Sequence, residues 1–276
     1  MKPFIAYLSF ILIFGNLNSG MAQTTLRVAI GQIFCLDGDR EGNFHRIEQA
    51  TREAADQHAD LICFPEMALL GWVNPDAHQR SYSIPGKDSE RLAALAKKYQ
   101  IFICIGLGEK VRDKLYDAAI LISDEGKILA KHRKNNILSE LMDPPYAPGE
   151  GVTAVETRFG KIGLLICADS FLDENLVAMR DEQPVIVLIP YGWAAEEDAW
   201  PEHGKELHKT IQNAAARIGC PVVGTDLIGA ISHGPWFGQV YGGQSAVIDQ
   251  DGNKLASAAD RDREILIVDI PLRARK

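Results

Sequence analysis

Beyond Phe14 the chain has no apolar run long enough to cross a bilayer, which excludes a protein built from membrane-spanning helices. Positive charge is also scarce. The 29 lysines and arginines face 37 acidic residues, for a net charge of -8, so no nucleic-acid partner is expected. The one basic cluster, Lys131 to Lys134, is too short to reverse that balance. The histidines are scattered, and His203 and His208, five apart, miss the i, i+4 alignment that places two ligands on one helix face. Gly106 and Gly108 lack the remainder of a dinucleotide-binding fingerprint. Neither a metal nor a cofactor is therefore expected. The five cysteines form no C-x-x-C pair, and their odd number leaves at least one thiol unpaired within the chain. Cys63 and Cys104 lie in strand-like runs and read as core thiols, while the pairing state of Cys35, Cys63, Cys104 and Cys220 stays open. No linker rich in Pro, Gly or Ser and no fixed-period repeat divides the chain, so one domain is expected.

Residues are 46% hydrophobic, ample for a sizeable core. At the N-terminus, Lys2 precedes an apolar stretch from Phe4 to Phe14, then a polar segment from Asn16 to Gly20 and a Gly20, Met21, Ala22 site before Gln23. This reads as a secretory signal peptide over residues 1–22, followed by a single domain over 23–276. The expected product is periplasmic or secreted, with no stable membrane insertion once the signal is removed. No cysteine stands at the cleavage point to carry a lipid.

From Leu26 onward, strand and helix patterns alternate as in an α/β or layered α+β protein. Strands are predicted at Leu26 to Gln32, Leu61 to Phe64, Ile101 to Leu107, Ala118 to Ile122 and Ile128 to Ala130. Further strands follow at Thr153 to Thr157, Ile162 to Ile166, Val185 to Ile189, Ser245 to Ile248, Lys254 to Ala256 and Ile265 to Ile270. Helices are predicted at Asn43 to His58, at Asp88 to Tyr99 with Asp88 or Ser89 as the cap, and at Pro201 to Ile218. The turns at Ser123 to Lys127, Arg158 to Lys161 and Asp249 to Asn253 join hairpins, and hairpins beside crossover units imply mixed sheets. Val185 to Ile189 is nearly all apolar, as a strand covered on both faces should be.

Three of these strands end on residues that a core does not require. Leu61 to Phe64 meets Pro65 and Glu66; Ile128 to Ala130 meets Lys131 through Lys134; Ile162 to Ile166 meets Cys167, Ala168 and Asp169. A carboxylate, an ammonium and a thiol meeting at one sheet edge would supply a proton acceptor, an oxyanion stabiliser and a nucleophile, sufficient for acyl transfer from an amide, ester or nitrile carbon.

Those junctions, in that order, resemble the nitrilase superfamily of carbon-nitrogen hydrolases, and the resemblance runs from about Leu26 to Ile270. It rests on Phe64, Pro65, Glu66; on Arg133, Lys134; on Gly163 through Cys167 to Asp169; and on Val185 to Pro190 and Gly242 to Ser245. It implies a four-layer αββα sandwich. It also implies a triad in which Glu66 is the general base, Lys134 stabilises the oxyanion and Cys167 attacks, through a thioester that water then cleaves. A cation beside the thiol should favour the thiolate. Glu140 matches a supporting glutamate loosely, Asp169 reads as an acceptor for backbone groups around the nucleophile, and the Ala168 amide as a second oxyanion donor. Tyr191, Gly192 and Trp193 fall where the family lines its substrate cavity.

The resemblance implies a small-molecule substrate, most simply a linear amide cleaved to a carboxylate and ammonia or an amine. A nitrile or an N-carbamoyl compound is the alternative, and an N-acyltransferase or a non-catalytic binding protein on the same scaffold is a further one. It also implies a homodimer or higher assembly. Two stretches depart from the family pattern: Phe171, Leu172, Asp173, Glu174 after the cysteine motif, and Lys209 to Asn213 in the long helix, where Gln212 replaces a glutamate. Ile228 to Val240, with His233, Trp236 and Phe237, reads as an insertion that shapes specificity or a subunit contact.

Overall fold

The computed structural model describes residues 25–272, and the expected signal peptide lies outside them. The first half of the chain alternates β1 (Thr25–Gln32), α1 (Arg40–Asp56), β2 (Leu61–Cys63), α2 (Ala77–Arg80), α3 (Lys87–Tyr99), β3 (Phe102–Val111), β4 (Lys114–Ile122) and β5 (Ile128–Arg133). The second half holds β6 (Thr153–Thr157), β7 (Gly160–Leu164), α4 (Asp173–Asp181), β8 (Ile186–Pro190), β9 (Ala194–Ala195), α5 (His203–Ile218), β10 (Val222–Thr225), β11 (Ile228–Ala230) and β12 (Val240–Gly242). The chain then runs through β13 (Ala246–Ile248), β14 (Lys254–Ser257) and β15 (Glu264–Pro271).

Two six-stranded mixed sheets result, ordered β15-β1-β2-β3-β4-β5 and β14-β13-β10-β8-β7-β6. Helical crossover connections leave β1, β2 and β3 as parallel neighbours, and likewise β7, β8 and β10. The period of two along each strand then divides its side chains between layers. Leu26, Val28 and Ile30 of β1 and Leu61 and Cys63 of β2 meet Ile162, Leu164, Ile186 and Leu188 of the other sheet in a central apolar layer. The alternate residues Ala29 and Ile62 pack outward with Phe44 and Ile47 of α1 and Leu92 of α3. On the opposite flank Val187 and Ile189 pack with Leu176 of α4 and with Leu207 and Ile211 of α5. The order is helix, sheet, sheet, helix, the expected αββα sandwich.

Several local readings need correction. The first helix begins at Arg40, a turn earlier than Asn43, because the Asp39 carboxylate accepts from the Gly42 N–H at 3.1 Å and caps it. In α3 the cap position is Gly86, and Ser89 sits in the first turn, its hydroxyl accepting from the Gly86 N–H at 2.9 Å. Strand β5 continues past its predicted end at Ala130 through Lys131, His132 and Arg133, which are paired across to β4. Lys131 and Arg133 both close on the buried Glu109 carboxylate, at 2.5 and 2.6 Å. Helix α4 and strand β10 are too short, four to nine residues, to have announced a period. Ile228 to Val240 is a hairpin arm rather than a loose insertion: β11 and β12 pair and join β9 in a third, three-stranded sheet. All five cysteines are buried and reduced. No described helix is long and apolar enough to cross a membrane.

Candidate active site

Each of the three junction residues stands just beyond the end of a strand. Glu66 lies three residues past β2, on a segment threaded tightly against β3. The Gly106 N–H donates to the Pro65 carbonyl at 3.0 Å and the Ala68 N–H to the Gly106 carbonyl at 3.0 Å. A Cβ at Gly106 would stand 2.6 Å from the Glu66 Cα and 2.8 Å from the Met67 N, so only glycine lets the segment pass. Lys134 is the first residue after β5, and its N–H extends the ladder by donating to the Asp117 carbonyl at 2.9 Å. Cys167 opens a 3-10 turn over Cys167–Phe171 with φ +41°, a left-handed conformation uncommon for a residue with a Cβ.

The structure brings the three together in a buried cluster. The Lys134 Nζ donates to Glu66 Oε1 at 2.5 Å, with both side chains almost wholly removed from solvent. Burial lowers the Lys134 pKa, but Glu66, Cys167 and Asp117 together outweigh it and hold the ammonium well above the ordinary lysine range. The Cys167 thiol goes the other way. Burial and the Glu66 charge push it well up, against the Lys134 cation and the Gly192 N–H, which favour the thiolate. The cation favours the thiolate as expected, but desolvation and the carboxylate that shares the lysine outweigh it. A resting thiol beside a carboxylate needs a base at the moment of attack, and Glu66 is the group in place.

Asp169 ties two of the junctions together. Its Oδ1 accepts from the N–H groups of Asn135 and Asn136, at 2.8 and 2.9 Å, and its Oδ2 from the Ile166 N–H at 3.0 Å. His132 Nε2 sits 2.9 Å from the same Oδ2. One buried carboxylate thus cross-links the loop that carries Lys134 to the turn that carries Cys167. Ala168 belongs to that turn, and its carbonyl accepts from the Asn136 side chain at 2.8 Å.

The remaining site candidates divide. Gly192 and Trp193 line a cavity of about 180 Å³ that opens onto Cys167, together with Trp72, Leu138, Phe171, His203 and Trp236. Gly192 is there for space: a Cβ would stand 2.9 Å from Glu66 Oε2 and 3.3 Å from the Trp72 Cγ. Tyr191, expected at the wall, is instead fully buried on the α5 side, its hydroxyl 2.9 Å from that of Ser170. Glu140 is exposed in the turn at Ser139–Leu141. The second carboxylate at Lys134 is Asp117 of β4, whose Oδ2 lies 3.6 Å from Nζ. Its signal in the sequence was a lone acid interrupting Leu115 to Ile122. Asp226 was likewise missed; buried after β10, it accepts from the Trp193 N–H at 2.7 Å and so fixes the cavity wall.

Trp236 reaches the mouth because the β11–β12 arm folds over it, and its ring meets Trp72 edge-on at 5.5 Å. His203 stacks on Trp193 at 5.4 Å, and burial lowers its pKa, so it faces the cavity uncharged. A groove of about 630 Å³ beside α3 and β5 is lined by no cysteine. Cys35 lies apart from the cluster, with the Asn43 side chain donating to its sulfur at 3.4 Å, and burial and Asp37 push its thiol up against the opposing Arg46 charge. No described group of three or more His, Cys, Asp or Glu is arranged to hold a metal ion.

The carbon-nitrogen hydrolase family model matches residues 27–275. A Pseudomonas protegens protein, the hydrolase in the pqqF 5' region, is 30% identical over 245 residues, covering 85% of this chain and 79% of that one. The bifunctional nitrilase/nitrile hydratase NIT4A of Lupinus angustifolius is 28% identical over 55% of this chain, and the match spans only 49% of that protein's length. Among solved structures, an amidase from Nesterenkonia superposes with a TM-score of 0.77 at 24% identity, covering 89% of this chain and 90% of that one. A variant of that amidase carries the acetamide moiety of fluoroacetamide covalently on its active-site cysteine.

Proposed function

Because the chain belongs to the carbon-nitrogen hydrolase family, we propose that it is a thiol amidase, cleaving small linear amides to a carboxylate and ammonia or an amine. The observation that carries this reading is the buried contact of Lys134 with Glu66 beside the Cys167 thiol. Glu66 takes the thiol proton as the sulfur attacks the carbonyl carbon. Lys134, released from part of its pairing with Glu66, donates to the oxygen that becomes negative. The protonated Glu66 hands its proton to the leaving nitrogen, and the freed carboxylate then activates the water that cleaves the thioester.

The cavity supports an uncharged, compact acyl group. Three of the chain's four tryptophans line it, with Phe171 and Leu138, and no arginine or lysine stands among the lining residues to pair with a substrate carboxylate. At about 180 Å³ it is smaller than the range of about 300–1,000 Å³ typical of drug-sized ligands. That favours a simple amide over an N-carbamoyl amino acid. The amide complexes of the Nesterenkonia amidase point the same way.

Intact mass measurement of wild-type and Cys167→Ala protein, after brief exposure to amides, nitriles and carbamoyl compounds with ammonia assayed in parallel, tests the reading. An acyl-sized increment on wild type alone, with ammonia released from amides, is expected. Turnover by the alanine variant at the wild-type rate would remove Cys167 from the mechanism. Export behind residues 1–22 and assembly as a homodimer are proposed alongside. The N-terminal mass of periplasmic protein and light scattering of the purified chain test them.

A further inference from the structure

Asp117 is the third charged side chain of the cluster, and the amide chemistry just described leaves it without a task. It stands on β4 opposite Gly108 of β3, fully buried, on the face that also carries Ala119 and Leu121. Its Oδ2 is 3.6 Å from Lys134 Nζ, against 2.5 Å for Glu66 Oε1. Neither Asp117 oxygen accepts a hydrogen bond from any described residue, and neither does Glu66 Oε2. Three buried acceptors without a donor are costly. Two ionised carboxylates against a single ammonium would also leave a net negative charge in a site removed from solvent. One proton held between the carboxyls engages two of the three oxygens and removes the excess charge. The carboxylate closer to the lysine keeps the charge, which assigns the proton to Asp117. Burial and the neighbouring Glu66 charge favour the neutral acid, and Lys134 opposes them.

We propose that Asp117 is a positioning residue that rests protonated, donating to Glu66 Oε2 and thereby holding Glu66 as the single ionised carboxylate beside Lys134 and Cys167. The inference rests on the reading of Glu66 as the base. The protons balance. Before attack the cluster holds the Lys134 ammonium, the Glu66 carboxylate, the Cys167 thiol and a neutral Asp117. After transfer it holds the ammonium, the thiolate and two neutral carboxyls, and Asp117 has neither gained nor lost a proton. An ionised Asp117 would compete with the thiolate and the oxyanion for Lys134. The other titratable groups that face Asp117 are Tyr146, from the loop before β6, and Asp169, from the turn after β7. Tyr146 is kept neutral by burial and by the Glu66 charge, and its hydroxyl accepts from the Val73 N–H at 3.2 Å. Asp169 is occupied by its backbone donors and His132.

Wild type, Asp117→Asn and Asp117→Ala separate the possibilities. The infrared spectrum of wild type at neutral pH should carry a protonated carboxylic acid band that Asp117→Asn lacks, a readout that needs no substrate and stands even if the protein turns over no amide. Asparagine cannot ionise and still offers Glu66 an N–H, so it should retain kcat within about threefold, whereas alanine should lose at least about tenfold in kcat with KM little changed. Absence of the band from wild type overturns the proposal. So does equal damage from asparagine and alanine in folded protein, which would mean that an ionised carboxylate is required, and so does an alanine variant with wild-type kcat.

Discussion

Lys134→Met keeps the length of the side chain and removes its charge, leaving Glu66 and Asp117 buried with no cation between them. The lost contacts are the 2.5 Å bond to Glu66 and the 3.6 Å approach to Asp117, both carboxylates being fully buried. Removing one member of a buried ion pair costs about 3–5 kcal/mol when the partner stays charged. The partner can escape by taking a proton, and this sets the pH dependence. Asp117 is already pushed well above the usual carboxylate range, and losing Lys134 removes the one cation that opposes the shift. A carboxyl whose folded pKa exceeds its unfolded value of about 4 contributes stability below that value and loses it as pH rises through the folded pKa. The variant should therefore be only mildly destabilised near about pH 5, and by about 3 kcal/mol or more near about pH 8. Urea unfolding of both proteins at the two pH values measures this. Turnover should fall by about 10²–10³ from loss of the oxyanion donor. Iodoacetamide should alkylate Cys167 more slowly, because Lys134 is the principal group drawing its thiol pKa down. A stability loss equal at both pH values, or alkylation at the wild-type rate, would refute the assignment of Lys134 as the counter-charge of this cluster.

Gly192→Ala places a methyl 2.9 Å from Glu66 Oε2, which cannot retreat because Oε1 is held by Lys134; kcat should drop about tenfold or more while the melting temperature changes little. Asp169→Asn keeps the shape but offers an amide where one oxygen now receives Ile166 N–H and His132 or the other receives two backbone N–H groups. It should cost about 3 kcal/mol by urea unfolding and lower kcat with it, while wild-type stability would show that the four-donor clamp is not what joins the two loops. Cys35→Ala loses a buried sulfur that accepts from Asn43 and donates to the Ala68 carbonyl, so it should cost about 1 kcal/mol and leave kcat/KM unchanged; loss of turnover in folded protein would mean the chemistry does not belong to Cys167 alone.

Two properties of this protein were legible without coordinates, because each depends on neighbours in the chain. The apolar runs at Leu26 to Gln32 and Val185 to Ile189 specified strands, and the second, apolar at every position, foretold a strand covered on both faces. Polar residues halting apolar runs at Glu66, Lys134 and Cys167 marked where strands stop and chemistry can begin. Short elements carried too few residues for a period to emerge, which is why α4, β10 and the β9–β11–β12 sheet were not foreseen.

What only the tertiary structure decided is which distant groups share one low-dielectric site. Glu140 is near Lys134 in the chain and ends in solvent, while Asp117, seventeen residues before it, lies against the ammonium because β4 and β5 pair with Ala118 opposite Arg133. Tyr191 and Trp193 are two residues apart, yet one is sealed against Ser170 beneath the long helix and the other walls the cavity. The balance at Cys167 is also set by the fold: the nearby lysine favours the thiolate, but burial and Glu66 on the same lysine outweigh it. Protonation depends on the summed field and desolvation of every group that folding gathers, and strands far apart in the chain supply those groups.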